Sequence, residues 1–192
     1  PVMKATVYAK PAVSVEGYLG IEVEKKVAPV TDEEAWMWTH AIVSATKAID
    51  PDRPFLSGMH GLTSGAWKLE GQAELCDLLT IHPYMLFTPY CALDPILSPR
   101  AVLHSPAELT MYADLSGKNC LVEEIGSLSG NLGDEESVGL FAKANLLNAW
   151  IHNGMGMLWW CAFEQKELTE APYDWCDVER ELGMFTFGGA KK

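Results

Sequence analysis

Five short apolar runs recur along this chain of 192 residues, and each is separated from the next by a segment with helical periodicity. They centre near residues 12, 56, 80, 121 and 158. This alternation restricts the fold more than any other feature. Strands joined through helices pair in parallel by right-handed crossovers, and a parallel sheet buries both of its faces. The expected architecture is therefore α/β, either an open doubly wound sheet or part of a (β/α) barrel. The stretch Asn119-Cys-Leu-Val-Glu-Glu-Ile-Gly126 shows the pattern most plainly: apolar residues lead into a pair of carboxylates, and a glycine closes the unit.

Local signals place the helices. Thr31-Asp-Glu-Glu34 is a capping box, in which the threonine hydroxyl and the glutamate satisfy each other's backbone amides. The helix that follows carries Ala35, Trp38, Ile42, Ala45 and Ile49 at helical spacing, a set expected to face the core. Asp50-Pro-Asp-Arg-Pro54 ends it, because proline cannot continue the hydrogen-bond ladder. A second helix is expected over residues 66–76. A third is expected from Ser105, with Pro106 in its first position, Glu108 in its third, and Gly117 as its stop. Residues 85–104 would then form a long, proline-containing loop, a place where binding segments occur. Asp134 caps a final long helix to His152, with Gly154 in a stop position.

Composition narrows the function classes. The chain carries 14 Lys and Arg against 26 Asp and Glu, a net charge of −12, which argues against nucleic acid and anionic membranes as partners. With 48% hydrophobic residues there is material for a sizeable core, and one domain is expected over residues 1–192. No apolar run is long enough to span a bilayer, and no basic-then-apolar leader opens the chain, so no signal peptide is expected and the compartment is left open. The five cysteines, at 76, 91, 120, 161 and 176, form no C-x-x-C pair and are expected as free thiols. Cys76, Cys120 and Cys161 read as core residues. His40, His60, His82, His104 and His152 lack zinc-ligand spacing, so no metal is implied. No Gly-x-Gly-x-x-Gly or phosphate-binding loop follows a strand, so no nucleotide cofactor is implied either. Gly126-Ser-Leu-Ser-Gly130 has leucine where a nucleophile elbow has serine.

In parallel α/β sheets chemistry collects where strands end. Here those ends carry Glu22, His60, His82 with Tyr84, Glu124, and Trp160. Alone, each has a bland reading: a solvated acid pair, a satisfied core histidine, a core indole. Together they make a coherent set. Two carboxylates can serve as proton donor and nucleophile for a sugar, a phenol can orient the nucleophile, and an indole can stack on the ring.

These residues resemble the clan of retaining (β/α)8-barrel glycoside hydrolases, particularly the cellulase-like glycoside hydrolase family 5 and the β-galactosidase-like family 2. Leu19-Gly-Ile-Glu22 stands where the clan's fourth strand ends in Leu-Gly-Asn-Glu. His82-Pro-Tyr84 resembles the end of the sixth strand, Glu124-Ile-Gly126 the seventh, and Leu-Trp-Trp160-Cys-Ala-Phe-Glu-Gln165 the eighth. The turn Asp-Pro-x-Arg-Pro-Phe before the fifth strand is also similar. The resemblance covers nearly the whole chain. It implies a (β/α)8 barrel represented by strands four to eight, and retaining hydrolysis of a β-glucan, β-mannan or β-galactoside. It also implies Glu22 as acid/base, Glu124 as nucleophile, and His60, His82, Tyr84 and Trp160 as sugar contacts. A non-proline cis peptide after Trp160 and carboxyl groups about 5 Å apart belong to the same expectation.

Two departures stand out. Ile21 replaces the clan's asparagine, a side chain expected at the sugar 2-hydroxyl, and the chain corresponds to five strands where a barrel has eight. These favour the alternative of an inactive carbohydrate-binding or structural remnant. They also imply that the barrel is completed by a second copy or by an N-terminal barrel half on a longer polypeptide.

Overall fold

A computed structural model of the protein describes residues 31–58, 68–85, 94–126, 133–165, 170 and 182–191. The elements run α1 (Asp32–Ile49), α2 (Leu69–Leu75), β1 (Leu79–Ile81), α3 (Pro99–Ser116), β2 (Cys120–Ile125), α4 (Glu135–Ile151) and β3 (Met157–Trp159). The three strands form one parallel sheet in the order β1-β2-β3. The α/β alternation expected from the sequence is therefore present. The expected strand near 12 lies outside the described residues. That near 56 is reduced to a parallel bridge between Leu56 and Leu78. Beside it, the Ser57 hydroxyl takes the Thr80 amide at 3.0 Å in place of a backbone carbonyl.

Leu79, Ile81, Cys120, Val122 and Ile125 point from the sheet into a core shared with Leu69 and Ala73 of α2, Leu109 and Tyr112 of α3, and Phe141 and Ala149 of α4. Phe141 meets Trp159 edge to face, with ring centroids 6.4 Å apart. This layer holds the strands' carboxyl ends in register.

The capping predictions hold at Thr31, where both halves of the capping box form, and at Asp134, whose carboxylate accepts from the Ser137 amide at 2.8 Å. Gly117 ends α3 at φ 66°, a left-handed conformation that glycine adopts without a Cβ clash. After α4 that conformation falls to Asn153 instead (φ 58°), and the Gly154 amide donates to Ala149 at 2.7 Å.

Several expectations are corrected. α2 is shorter than the predicted 66–76. The last strand, which the apolar run predicts over Met157–Phe163, stops at Trp159, and among the described residues Phe163 pairs through a single bridge to Phe185. α1 buries Ala35, Thr39 and Val43, while Trp38, Ile42 and Ile49 are exposed. Both sets satisfy a helical period. The smaller side chains win because they let α1 approach α2, where Gln72 donates to the Thr39 hydroxyl at 3.4 Å and the Trp36 indole to Glu74 at 3.3 Å.

α3 begins at Pro99, seven residues before the predicted start, so the long loop over 85–104 is cut short. Ser98-Pro99 carries the same start signal as Ser105-Pro106, and the Ser98 hydroxyl caps the Ala101 amide at 3.2 Å. Pro106 then sits inside the helix and deprives the Val102 carbonyl of its usual amide partner. The side-chain amide of Asn148 on α4 donates to that carbonyl at 3.3 Å. The proline is accommodated because a neighbouring helix supplies the missing donor.

Candidate active site

β1 ends at Ile81 and the chain enters His82-Pro83-Tyr84. The Tyr84 amide donates to the His82 carbonyl at 2.8 Å, a three-residue turn whose central position suits the fixed φ of proline. The turn brings the two side chains over the end of β2. Tyr84 is buried, and its hydroxyl donates to Glu124 Oε2 at 3.2 Å. His82 Nε2 lies 3.0 Å from Glu123 Oε2, and its Nδ1 lies 3.6 Å from Glu124 Oε2.

That one imidazole reaches two consecutive glutamates needs an explanation, since neighbouring strand residues point to opposite faces. β2 pairs with β3 through Val122↔Met157 and Ile125↔Trp159, three steps on one strand against two on the other. The extra residue is a bulge at Glu123–Glu124, which re-aims both carboxylates. The sequence carries its trace. Cys120 and Val122 keep the alternation of a strand, and the next core residue is Ile125 rather than residue 124.

β3 supplies the third wall. The Trp160 amide donates to the Ile125 carbonyl at 2.8 Å, and the Trp160–Cys161 peptide bond is cis, as the resemblance implies. Gly126 passes directly beneath. A Cβ there would collide with the Trp160 carbonyl oxygen and come within 3.4 Å of the Tyr84 ring. The glycine that closes the β2 unit is thus required by close approach of two strand ends. Trp160 itself is 39% exposed.

The structure therefore brings together His82, Tyr84 and Glu124, with Trp160 alongside. Glu22 and His60 lie outside the described residues. Glu123, to which the sequence reading gives no role of its own, joins the cluster. The side chains of His82, Glu123 and Glu124 are 15%, 29% and 35% exposed, a half-open site rather than a sealed one.

Two of the thiols are buried in the core. Burial pushes Cys76 up to about 11, and burial together with the charge of Glu108 pushes Cys120 up to about 12, so neither forms a thiolate readily. Cys76 and Cys120 are free and buried, and Cys161 is half-buried rather than a core residue, its thiol donating to the Phe163 carbonyl; Cys91 and Cys176 lie outside the described residues. Among the described residues no three His, Cys, Asp or Glu side chains are grouped to hold a metal ion, and no helix is long and apolar enough to cross a membrane.

No protein-family profile and no curated protein matches the sequence. Solved structures do match the fold. An exo-β-1,4-mannosidase from Opitutaceae bacterium strain TAV5 superposes with a TM-score of 0.70 at 20% identity, over 84% of this chain and 30% of that one. A GH5_18 protein from Bifidobacterium longum subsp. longum, solved with Manβ1-4GlcNAc, gives 0.67 at 18% identity over 84% of this chain and 38% of that one. A β-glucuronidase from an uncultured Clostridium sp. gives 0.62 at 16% identity, covering 85% and 28%. At these identities the likeness is one of fold. The chain matches part of the TIM barrel of glycoside hydrolases and spans about a third of its neighbours' length.

Proposed function

We propose that the protein is a retaining glycoside hydrolase acting on β-glycosidic bonds, with Glu124 as nucleophile and Glu22 as acid/base. The observation that carries the reading is the Tyr84 hydroxyl donating to Glu124 at the mouth formed by adjacent parallel strands. A phenol in that position holds one carboxylate oxygen and leaves the other to attack. The Glu124 oxygen bonds to the anomeric carbon as the glycosidic C–O bond breaks, and the departing oxygen takes the proton of Glu22. Water then hydrolyses the glycosyl ester, giving its proton back to Glu22, so the anomeric configuration is retained. Trp160 would floor the sugar site, with His60 and His82 at its hydroxyls. We take the remaining barrel wall to come from further polypeptide or a second copy.

The fold neighbours suggest aryl β-mannosides, β-glucuronides and β-mannan as substrates, and the sequence resemblance adds β-glucosides, β-galactosides and soluble β-glucan. The decisive experiment is trapping. A 2-deoxy-2-fluoro glycoside of the hydrolysed sugar should add one glycosyl mass to the protein, on the peptide containing Glu124. Turnover without adduct at Glu124, or with inverted product, would overturn the assignment.

Ile21 favours a second reading, a carbohydrate-binding remnant without turnover, because it removes a side chain expected to grip the 2-hydroxyl near the transition state. Saturable glycan binding with neither hydrolysis nor trapping would select it.

A further inference from the structure

We propose that Glu123 is a positioning residue that acts through His82, fixing the orientation and tautomer of the imidazole beside the nucleophile. The inference rests on the glycosidase reading above and adds a member to its site. Its basis is geometric. A carboxylate can only accept, so the 3.0 Å contact between Glu123 Oε2 and His82 Nε2 makes Nε2 a donor. With Nε2 committed, Nδ1 is the nitrogen turned toward Glu124 Oε2, 3.6 Å away. The ring thus spans the two carboxylates along its long edge. It cannot rotate about its own bonds without leaving Glu123, and its side chain is only 15% exposed.

The bulge in β2 gives the arrangement its purpose. In a regular strand Glu123 would project from the face opposite Glu124, into no relation with His82. The irregular pairing between Val122 and Ile125 turns both carboxylates to the same imidazole. A bulge beside a reactive side chain re-aims it, and here it also delivers the group that steadies its neighbour.

A double-mutant cycle tests this in the whole protein, read as kcat/KM on the aryl glycoside it hydrolyses best. Glu123→Ala should lower kcat/KM roughly ten- to a hundredfold, the worth of a hydrogen bond to a charged group. In the His82→Ala background the same change should cost less than about twofold, because the partner it acts through is gone. Glu123→Gln retains an acceptor and should restore most of the loss. Equal cost in both backgrounds, or no cost in either, overturns the proposal. A second readout is independent of turnover. Long-range 1H–15N spectra should show His82 as the Nε2–H tautomer in the parent protein and as a tautomer mixture in Glu123→Ala and, to a lesser extent, in Glu123→Gln. An unchanged tautomer distribution overturns the proposal even if the enzyme is active. An inactive parent protein that still shows the tautomer change overturns the glycosidase reading and leaves the Glu123–His82 clamp standing.

Discussion

At the scale of single residues, the site is organised by two short contacts to adjacent carboxylates, one from a phenol and one from an imidazole. The Tyr84 hydroxyl is the more separable of the two, since its removal leaves the ring that packs against Gly126. Tyr84→Phe is expected to lower kcat/KM roughly tenfold with little change in the urea midpoint, matching loss of one hydrogen bond to a carboxylate. Activity equal to the parent would mean that the hydroxyl does nothing for Glu124.

At the scale of elements, what matters is how each helix end and irregularity is satisfied. The exchange between Pro106 and Asn148 makes a specific claim. Asn148→Ala leaves the Val102 carbonyl without its donor and is expected to cost about 1–2 kcal/mol of unfolding free energy, by urea titration. In a Pro106→Ala background the helix regains its own amide, and the same substitution should cost measurably less. Additive costs would show that the two groups are not coupled.

The link between α1 and the sheet responds to pH. Asp77 is held below the usual aspartate value of 3.8, first by its hydrogen bond with Lys47 of α1 and then by the Phe55 amide. A carboxyl depressed in the folded state stabilises the fold fully above its unfolded pKa and loses that contribution as pH falls through its folded pKa. Acid unfolding monitored by circular dichroism should therefore show stability falling below about pH 4, where the unfolded aspartate begins to take up protons. Asp77→Asn should flatten that fall. Its side chain is half exposed, so the effect at neutral pH is small.

At the scale of the whole molecule, the helix layer and the strands stand or fall together through a few buried rings. Phe141 is 1% exposed and touches Trp159, one residue before Trp160. Phe141→Ala is expected to destabilise by about 3–5 kcal/mol, and because β3 carries Trp160, to loosen the site as well. Urea unfolding together with Trp fluorescence would register both; unchanged stability would mean that α4 does not anchor β3. Among the described residues, the Leu56–Leu78 bridge lies just before β1, and Phe163, four residues after β3, makes a parallel bridge to Phe185.

The amino-acid sequence by itself determined the strand–helix alternation, the caps at Thr31 and Asp134, the stop at Gly117, and the order in which His82, Tyr84, Glu124 and Trp160 arrive at strand ends. Each of those signals is encoded within a few residues, in a side chain that meets its own backbone or in a period of two or 3.6. Tertiary structure alone decided the rest. Two Ser-Pro pairs could each begin α3, and the earlier one holds because Asn148 repairs the break that Pro106 makes. Two faces of α1 fit the same period, and the one with Thr39 is buried because α2 approaches it closely. Gly126 is needed because Trp160, thirty-four positions later, passes within a methyl group's reach. Glu123 joins the site because β2 takes one residue more than β3 between two pairings, a mismatch that exists only once the strands lie side by side.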